Sequence, residues 1–318
     1  MKNKYIFVTI MLLGIWLLSG IFTTVYVNTT SDNKKDDKIS IVTSFYPMYI
    51  ATLNIVEGAE GVELENLSEP QTGCLHDFQL TPQDMKLLST ADVFVVNGGG
   101  IENFLTDVAK AYPELKLIEA CEEVELLCEA GDEHEEDEQL HEEHDHDHSV
   151  NAHAWMSVSS YRIQVATIAR QLAQLDPANA IIYQDNAAAY DAKLAKLEQQ
   201  QKELMCSNEN VILFHEAYGY VAADYGMKPV FLMDLDQERQ VSAGEVAEVV
   251  TQIRENKVRF ILAEELYGRE MGNTVEKETE VKVLYIDPLN KGDYDKDSYI
   301  KGMQKNIDIL KAAFSGKE

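Results

Sequence analysis

Cationic side chains are scarce in this sequence. The 318 residues include 27 Lys and Arg against 55 Asp and Glu, which gives a formal net charge of −28 at pH 7. Nucleic acids need Lys and Arg to neutralise their phosphates, so this balance excludes them as partners. Because acidic side chains attract cations, we expect the ligand of this protein to be a cation.

Sequence motifs of the common enzyme classes are also missing. The chain has no Gly-x-Ser-x-Gly, no Walker-type phosphate loop and no G-x-G-x-x-G. His215-Glu216 begins like the H-E-x-x-H motif of zinc peptidases, but Gly219 stands where the second histidine is needed. Gly98-Gly99-Gly100 is interpreted as a turn after a strand rather than a phosphate cradle. A zinc metalloenzyme is therefore a disfavoured alternative.

Cysteine is limited to four residues, and no C-x-x-C is present, which disfavours a zinc cage of thiolates. Outside the cytoplasm, four cysteines permit three disulfide pairings. We favour a bridge between Cys121 and Cys128 because they flank a short segment. Free buried thiols are the alternative. The four residues are Cys74, Cys121, Cys128 and Cys206.

The N-terminal segment predicts a membrane anchor. Two lysines precede an uncharged run at residues 5–27, which is long enough to span a bilayer. Ile21 stands where a lipoprotein would have its lipidated cysteine. We therefore expect residues 1–30 to be an uncleaved anchor, with a cleaved secretory signal as the alternative. In either case the rest of the chain lies outside the cytoplasm, attached to the outer face of the membrane or secreted.

Histidine is rare as well, and most of it lies in one acidic loop. Five of the eight histidines fall between Glu122 and His148, together with fourteen Asp or Glu and no Lys or Arg. Imidazole and carboxylate are the ligands of zinc and neighbouring divalent metals. A solvated acidic loop does not need these histidines, so we predict weak auxiliary metal sites on it. They are His134, His141, His144, His146 and His148.

Alternating strand-like and helix-like segments predict an α/β protein of two lobes with central sheets. Residues 38–176 form the N-terminal lobe, which includes loop 122–148, and residues 208–318 form the C-terminal lobe. One long rigid helix at 177–207, opened by Pro177, is expected to join them. In the first lobe, Val93-Phe94-Val95-Val96 is typical of a buried parallel strand.

A second helix start is marked by its cap. Thr81 precedes Pro82, and this pair predicts an N-cap followed by proline at the first helical position. His76 lies five residues before this cap.

The three histidines outside the acidic loop predict a metal site. Each one taken alone is more simply a hydrogen-bonded structural residue. His215 and Asp287, however, directly follow strand-like runs, where ligands of open α/β sheets bind. Three imidazoles with one carboxylate complete the tetrahedral shell of Zn²⁺. The candidate ligands are His76, His153, His215 and Asp287.

From Ile39 to Phe314 the sequence resembles a known family, the zinc- and manganese-binding solute receptors of ABC importers (cluster A-I). Matching segments follow one another in the family's order, and the acidic His-rich insertion is among them. The others are Val42-Thr43-Ser44-Phe45-Tyr46-Pro47, His76-Asp77-Phe78 with Thr81-Pro82-Gln83-Asp84, Ala91-Asp92, Asn97-Gly98, His153-Ala154-Trp155, Asp176-Pro177-Ala178-Asn179-Ala180, Phe214-His215-Glu216-Ala217-Tyr218-Gly219-Tyr220 and Asp287-Pro288-Leu289.

The resemblance implies a monomeric receptor that holds Zn²⁺ between its lobes and delivers it to an ABC permease. His76 and His153 would come from the first lobe, and His215 and Asp287 from the second. Glu264 matches a strand-end glutamate of the family and is the alternative fourth ligand.

The resemblance also bears on the choice of metal. Manganese members tend to carry a carboxylate where His215 stands, and imidazole favours zinc. Asn151-Ala152 departs from the Asp-Pro that often precedes the second histidine of the family. The remaining alternatives are a manganese receptor and an extracellular His-rich zinc buffer or adhesin.

Overall fold

Two β-sheets divide the described part of the chain into two α/β lobes, as predicted. The computed structural model describes residues 38–68, 78–128, 150–204, 208–235 and 239–315. From Ser40 onward these residues form one unit.

The N-terminal lobe is built on a sheet with strand order β2-β1-β3-β4. Strand β3 runs parallel to both β1 and β4. All four residues of β3 are apolar and buried, as its sequence predicted. The strands are β1 (Ile39–Thr43), β2 (Val62–Asn66), β3 (Val93–Val96) and β4 (Lys116–Glu119). The helices are α1 (Tyr46–Val56), α2 (Pro82–Leu88) and α3 (Leu105–Ala111).

Local sequence signals fix two boundaries in this lobe. The predicted cap of α2 is confirmed: Thr81 Oγ1 accepts the backbone N–H of Asp84, whose carboxylate accepts the N–H of Thr81. After β3, Gly98, Gly99 and Gly100 have φ values of 79°, 67° and 91°. Side chains disfavour this left-handed region, so three glycines let the chain turn sharply.

Two long helices connect the lobes: α4 (Val158–Leu175) and α5 (Ala180–Glu203). They pack against each other, and Arg162 on α4 makes a two-pronged ion pair with Asp191 on α5. Helix α5 also contacts α1 of the first lobe and the last helix of the second. At 24 residues it is about 36 Å long.

The start predicted for the joining helix at Pro177 is wrong by three residues. Helix α5 begins at Ala180, with Asn179 as its N-cap. The Asn179 side chain donates hydrogen bonds to Asp176 and to the Glu60 carbonyl and makes no capping hydrogen bond to the helix. These bonds hold the residues before Ala180 in a separate turn.

The C-terminal lobe repeats the arrangement with strand order β10-β9-β7-β8. Its three strand pairs are parallel. The carboxyl ends of all four strands therefore lie along one edge of the sheet, where ligands are expected to bind. The strands are β7 (Asn210–Leu213), β8 (Lys228–Leu232), β9 (Phe260–Ala263) and β10 (Lys282–Tyr285). The helices are α6 (Tyr218–Asp224), α7 (Ala243–Glu255), α8 (Glu265–Glu278) and α9 (Ser298–Ser315).

Strand β5 (Leu127–Cys128) pairs antiparallel with β6 (Val150–Asn151). Because β5 lies within the predicted loop 122–148, that loop begins later than predicted. The predicted Cys121–Cys128 bridge is wrong, because both residues are free thiols. Cys121 is buried and its Sγ accepts Gln164 Nε2–H at 3.1 Å, whereas Cys128 is exposed on β5. Burial also raises the pKa of Cys121 to about 12.

Several predicted features lie outside the described residues. They are the anchor at 1–30, the ligand His76, the cysteines Cys74 and Cys206, and the five loop histidines. Within the residues that the structure describes, no helix is long and apolar enough to cross a membrane.

Candidate metal site

His153 is held in one ring orientation by Asn151. It follows β6 by two residues and is 1% exposed. Asn151 Oδ1 accepts the backbone N–H of His153 at 3.1 Å, and Asn151 Nδ2 donates to the Glu216 carbonyl at 2.8 Å, which fixes the amide. His153 Nδ1, 2.9 Å from the same Oδ1, therefore carries the proton. The lone pair is left on Nε2, the atom through which such a ring binds metal.

The Glu216 carboxylate supports this tautomer from the other lobe. Its Oε1 lies 3.3 Å from His153 Nδ1 as a second acceptor. A carboxylate beside the outer nitrogen of a ligating histidine raises the basicity of the inner one. No local sequence pattern indicates this role, because Glu216 is 63 positions from His153.

His215 lies two residues after β7, at the carboxyl edge of the second sheet, and is 9% exposed. Its Nδ1 accepts the backbone N–H of Ala217 at 3.0 Å. A neutral His215 therefore carries its proton on Nε2. Ligation through either nitrogen requires the ring to give up this hydrogen bond, which contributes about 1 kcal/mol.

The two imidazoles lie at the separation that a shared metal ion requires. Their ring centroids are 5.0 Å apart, with the ring planes at 90°. A zinc–nitrogen bond places the metal about 3.2 Å from each ring centre, and a tetrahedral angle then separates the two centres by about 5.2 Å. The structure thus brings together two predicted ligands that are far apart in the sequence.

A cavity of about 20 Å³ opens beside both histidines. This volume accommodates one water-sized particle and no organic substrate. Its wall includes His153, His215, Trp155, Glu264 and Lys291. Glu264, the alternative fourth ligand, directly follows β9 and caps α8, and its carboxylate pairs with Lys291 at 2.8 Å.

Asp287, the first choice for the fourth ligand, is not among the described residues that line this cavity. It is exposed, and its Oδ1 accepts the backbone N–H of Leu289 at 2.9 Å. It is still close enough to act on Tyr218: burial raises the pKa of that phenol well above its usual value, and the Glu264 and Asp287 carboxylates add to the effect. Both acids thus lie near the cavity.

In the part of the chain that the structure describes, no group of three or more His, Cys, Asp or Glu side chains already has metal-ligating geometry. His76 is not in that part. Among the described residues, the candidate ligands at the cavity are therefore two histidines and one carboxylate. Three further residues of this site were not singled out from the sequence, namely Asn151 as an orienting residue, Glu216 and Lys291.

Comparisons with known proteins identify the family of this chain. The family described as zinc-uptake complex component A periplasmic matches residues 41–313. The high-affinity zinc uptake system protein ZnuA of Bacillus subtilis (strain 168) is 30% identical over 311 residues, covering 94% of this chain and 96% of that protein.

Solved structures show the same fold. Zn(II)-bound AdcA from Streptococcus pneumoniae is 26% identical with a TM-score of 0.72, over 87% of this chain and 58% of that chain. This chain therefore spans less than two thirds of AdcA. FpvC from Pseudomonas aeruginosa in complex with Mn²⁺ is 26% identical with a TM-score of 0.73, over 88% of this chain and 100% of that chain. The resemblance seen in the sequence is confirmed: the chain belongs to the family of periplasmic component A of zinc-uptake complexes, and it is not an enzyme.

Proposed function

We propose that this protein captures one Zn²⁺ ion outside the cytoplasm and delivers it to the permease of an ABC importer. The observation that carries the proposal is the meeting of His153 and His215 at a cavity of about 20 Å³. One small cation fits such a space, whereas a sugar, peptide or amino acid does not. The zinc named in the descriptions of the family and of ZnuA supports the choice of cargo.

The proposed ligands are three imidazoles and one carboxylate. His153 and His215 both line the cavity, and their ring centroids are 5.0 Å apart. His76 is the third histidine of the proposal. For the carboxylate, Asp287 remains the prediction from the sequence, and Glu264 is supported by its place in the cavity wall. This donor set favours zinc over manganese, because manganese prefers oxygen ligands in larger number.

A chelator-competition titration of the purified chain tests the proposal, with Zn²⁺ and Mn²⁺ run side by side. We expect one tight zinc site in the wild-type protein. His76→Ala, His153→Ala and His215→Ala should each weaken it by more than the 10- to 100-fold typical of outer-shell partners. His141→Ala, on the acidic loop, is the matched histidine control and should leave the tight site intact.

Two results would overturn this assignment. A tight zinc site that survives both His153→Ala and His215→Ala places the metal elsewhere, and tighter binding of Mn²⁺ than of Zn²⁺ makes the protein a manganese receptor. The same titration on Asp287→Ala and Glu264→Ala identifies the fourth ligand as the residue whose loss weakens binding more.

The attachment and delivery parts of the proposal need cells. An anchor in residues 1–30 would hold the receptor at the outer face of the membrane, beside its permease. Deleting the gene should then abolish high-affinity zinc uptake, whereas loss of a zinc buffer or adhesin should leave uptake unchanged. Deleting residues 129–148 should lower the number of zinc ions bound while leaving the tight site in place.

A further inference from the structure

A lysine ammonium lies in the wall of the cavity that we propose for a cation. Lys291 Nζ is 2.8 Å from Glu264 Oε1, and it lies 6.0 Å from the centre of the Tyr267 ring. Among the described residues that line the cavity, Lys291 is the one Lys or Arg. The lysine side chain is 27% exposed and the glutamate 14%. A positive charge in this position repels a cation that enters the cavity.

The backbone around Lys291 is fixed on both sides. Leu289 has a positive φ of 53°, and its N–H is held by the Asp287 carboxylate. Gly292 has a φ of 148°, and a Cβ on it would lie 2.7 Å from Tyr46 Oη. While the loop keeps its contacts to the first lobe, its backbone holds Lys291 in place, and displacement of the ammonium depends on the side chain. The four-carbon side chain, in contrast, has several rotamers and reaches solvent.

An ion pair in this setting has two consequences. Glu264 is mostly buried, and its carboxylate would be an uncompensated charge without a cation nearby. Lys291 supplies that cation. If Glu264, the alternative fourth ligand, binds a divalent ion beside His153 and His215, the lysine is then a like charge at close range.

We propose that Lys291 is a tethered competitor of the metal: its ammonium holds Glu264, an incoming divalent ion displaces it, and its return speeds release of the ion. The proposal rests on the proposed function, since it concerns the same cavity. It makes Lys291 a residue that sets affinity and release rate rather than a structural ion pair. A structural pair would support the site, so removing it would weaken metal binding or leave it unchanged. Removing a competitor strengthens binding.

The test compares Lys291→Gln and Lys291→Met with the wild-type full chain. The zinc dissociation constant is measured by chelator competition, and the release rate by stopped-flow transfer of zinc to excess chelator. We expect both variants to bind zinc on the order of tenfold more tightly, and the change to appear as slower release. The thermal midpoint of the metal-free variants should be lower than that of wild type, because Glu264 loses its partner. The increase in thermal midpoint on adding zinc should be larger than in wild type.

Three further variants isolate the cause. Lys301→Gln removes an exposed lysine of the same lobe whose partner, Asp295, also lies in that lobe, and it should behave as wild type. Lys291→Arg keeps the charge and should stay within about threefold of wild type. In a Glu264→Gln background, Lys291→Gln should have no effect on affinity, because the contested carboxylate is gone.

The outcomes separate the two proposals. If wild-type protein has no tight zinc site, the proposed function fails. If it has one and Lys291→Gln leaves its affinity unchanged or weaker, the receptor assignment stands and the competitor proposal is refuted. An equal gain in Lys301→Gln would also refute it, because the effect would then be one of general charge.

Discussion

Asn151 connects the proposed metal ligand His153 to the second lobe, and replacing it by alanine should damage both stability and zinc affinity. Its side chain makes three hydrogen bonds, to the backbone N–H of His153, to His153 Nδ1 and to the Glu216 carbonyl. Asn151 is 3% exposed, so water does not readily replace the lost partners. Buried groups left unsatisfied cost about 1–3 kcal/mol each, and Glu216 Oε1 can still accept a hydrogen bond from His153 Nδ1–H. We expect the free energy of unfolding to fall by about 2–4 kcal/mol.

The zinc affinity should fall separately from the stability. Without the Asn151 acceptor, His153 Nδ1–H has only the longer contact to Glu216, at 3.3 Å, and the ring orientation is no longer fixed. Loss of such an outer-shell partner weakens metal binding by roughly 10- to 100-fold. Urea unfolding of the metal-free protein measures the first effect, and chelator competition measures the second.

Asn179→Ala is a matched control for this prediction. Asn179 is also buried and also makes three side-chain hydrogen bonds, two with the Glu60 backbone and one with Asp176. We expect a similar loss of stability and no change in zinc affinity. The reasoning about His153 is refuted if Asn151→Ala binds zinc as tightly as Asn179→Ala does. Asn151→Asp keeps the acceptor for His153 but not the donor to Glu216, so it should retain most of the affinity and lose stability.

Three other predictions follow from the structure. Burial raises the pKa of Glu102 to about 7, above its value in the unfolded chain. The folded protein therefore loses stability as pH rises from about 4.5 through 7, by on the order of 3 kcal/mol. Urea unfolding at pH 5 and pH 8 should show this loss in wild type and not in Glu102→Gln. A Cβ at Gly302 would lie 2.4 Å from Leu289 Cδ2, so Gly302→Ala should lower the free energy of unfolding by about 1–3 kcal/mol in the same assay, and an unchanged value would mean that Leu289 moves aside without strain. Free zinc at 100 times its dissociation constant should raise the free energy of unfolding by about 2.7 kcal/mol in wild type, and the same concentration should have little effect on His215→Ala, measured by thermal denaturation.

The parts of the fold that sequence reasoning predicted are those set by local chemistry. The apolar run of β3 is buried on both faces of its sheet, which is why it could be recognised without any knowledge of its neighbours. The cap at Thr81 depends on residues within three positions of each other. His215 could be placed at a sheet edge because it closely follows β7.

The parts that sequence reasoning missed depend on side chains that meet through the fold. Cys121 and Cys128 are near each other in the sequence, but one thiol faces Gln164 in the interior and the other faces solvent. The Glu264–Lys291 pair joins the end of β9 to the loop after β10, and no local pattern indicates that pairing. Closeness in the sequence suggested a Cys121–Cys128 bridge that the structure does not have, and it could not indicate the Glu264–Lys291 pair.

For the proposed receptor, the contacts between the lobes indicate which bonds would have to break for the ion to leave. The two apolar clusters that include Val42 and Ile212 lie in separate lobes, so opening the cavity need not expose either core. The loop after β10 crosses to the first lobe through hydrogen bonds, each contributing about 0.5–1.5 kcal/mol. These bonds include Trp155 Nε1 to Pro288 O, Tyr46 Oη to Asp293 O, Asn54 Nδ2 to Lys296 O, Asn66 Nδ2 to Tyr294 Oη and Tyr294 Oη to Ser68 O. Because Lys291 lies on this loop, breaking these bonds would move the ammonium and one wall of the cavity together. We therefore expect release of the ion and opening of the lobes to be a single coupled step, while the packing of α4 on α5 is kept.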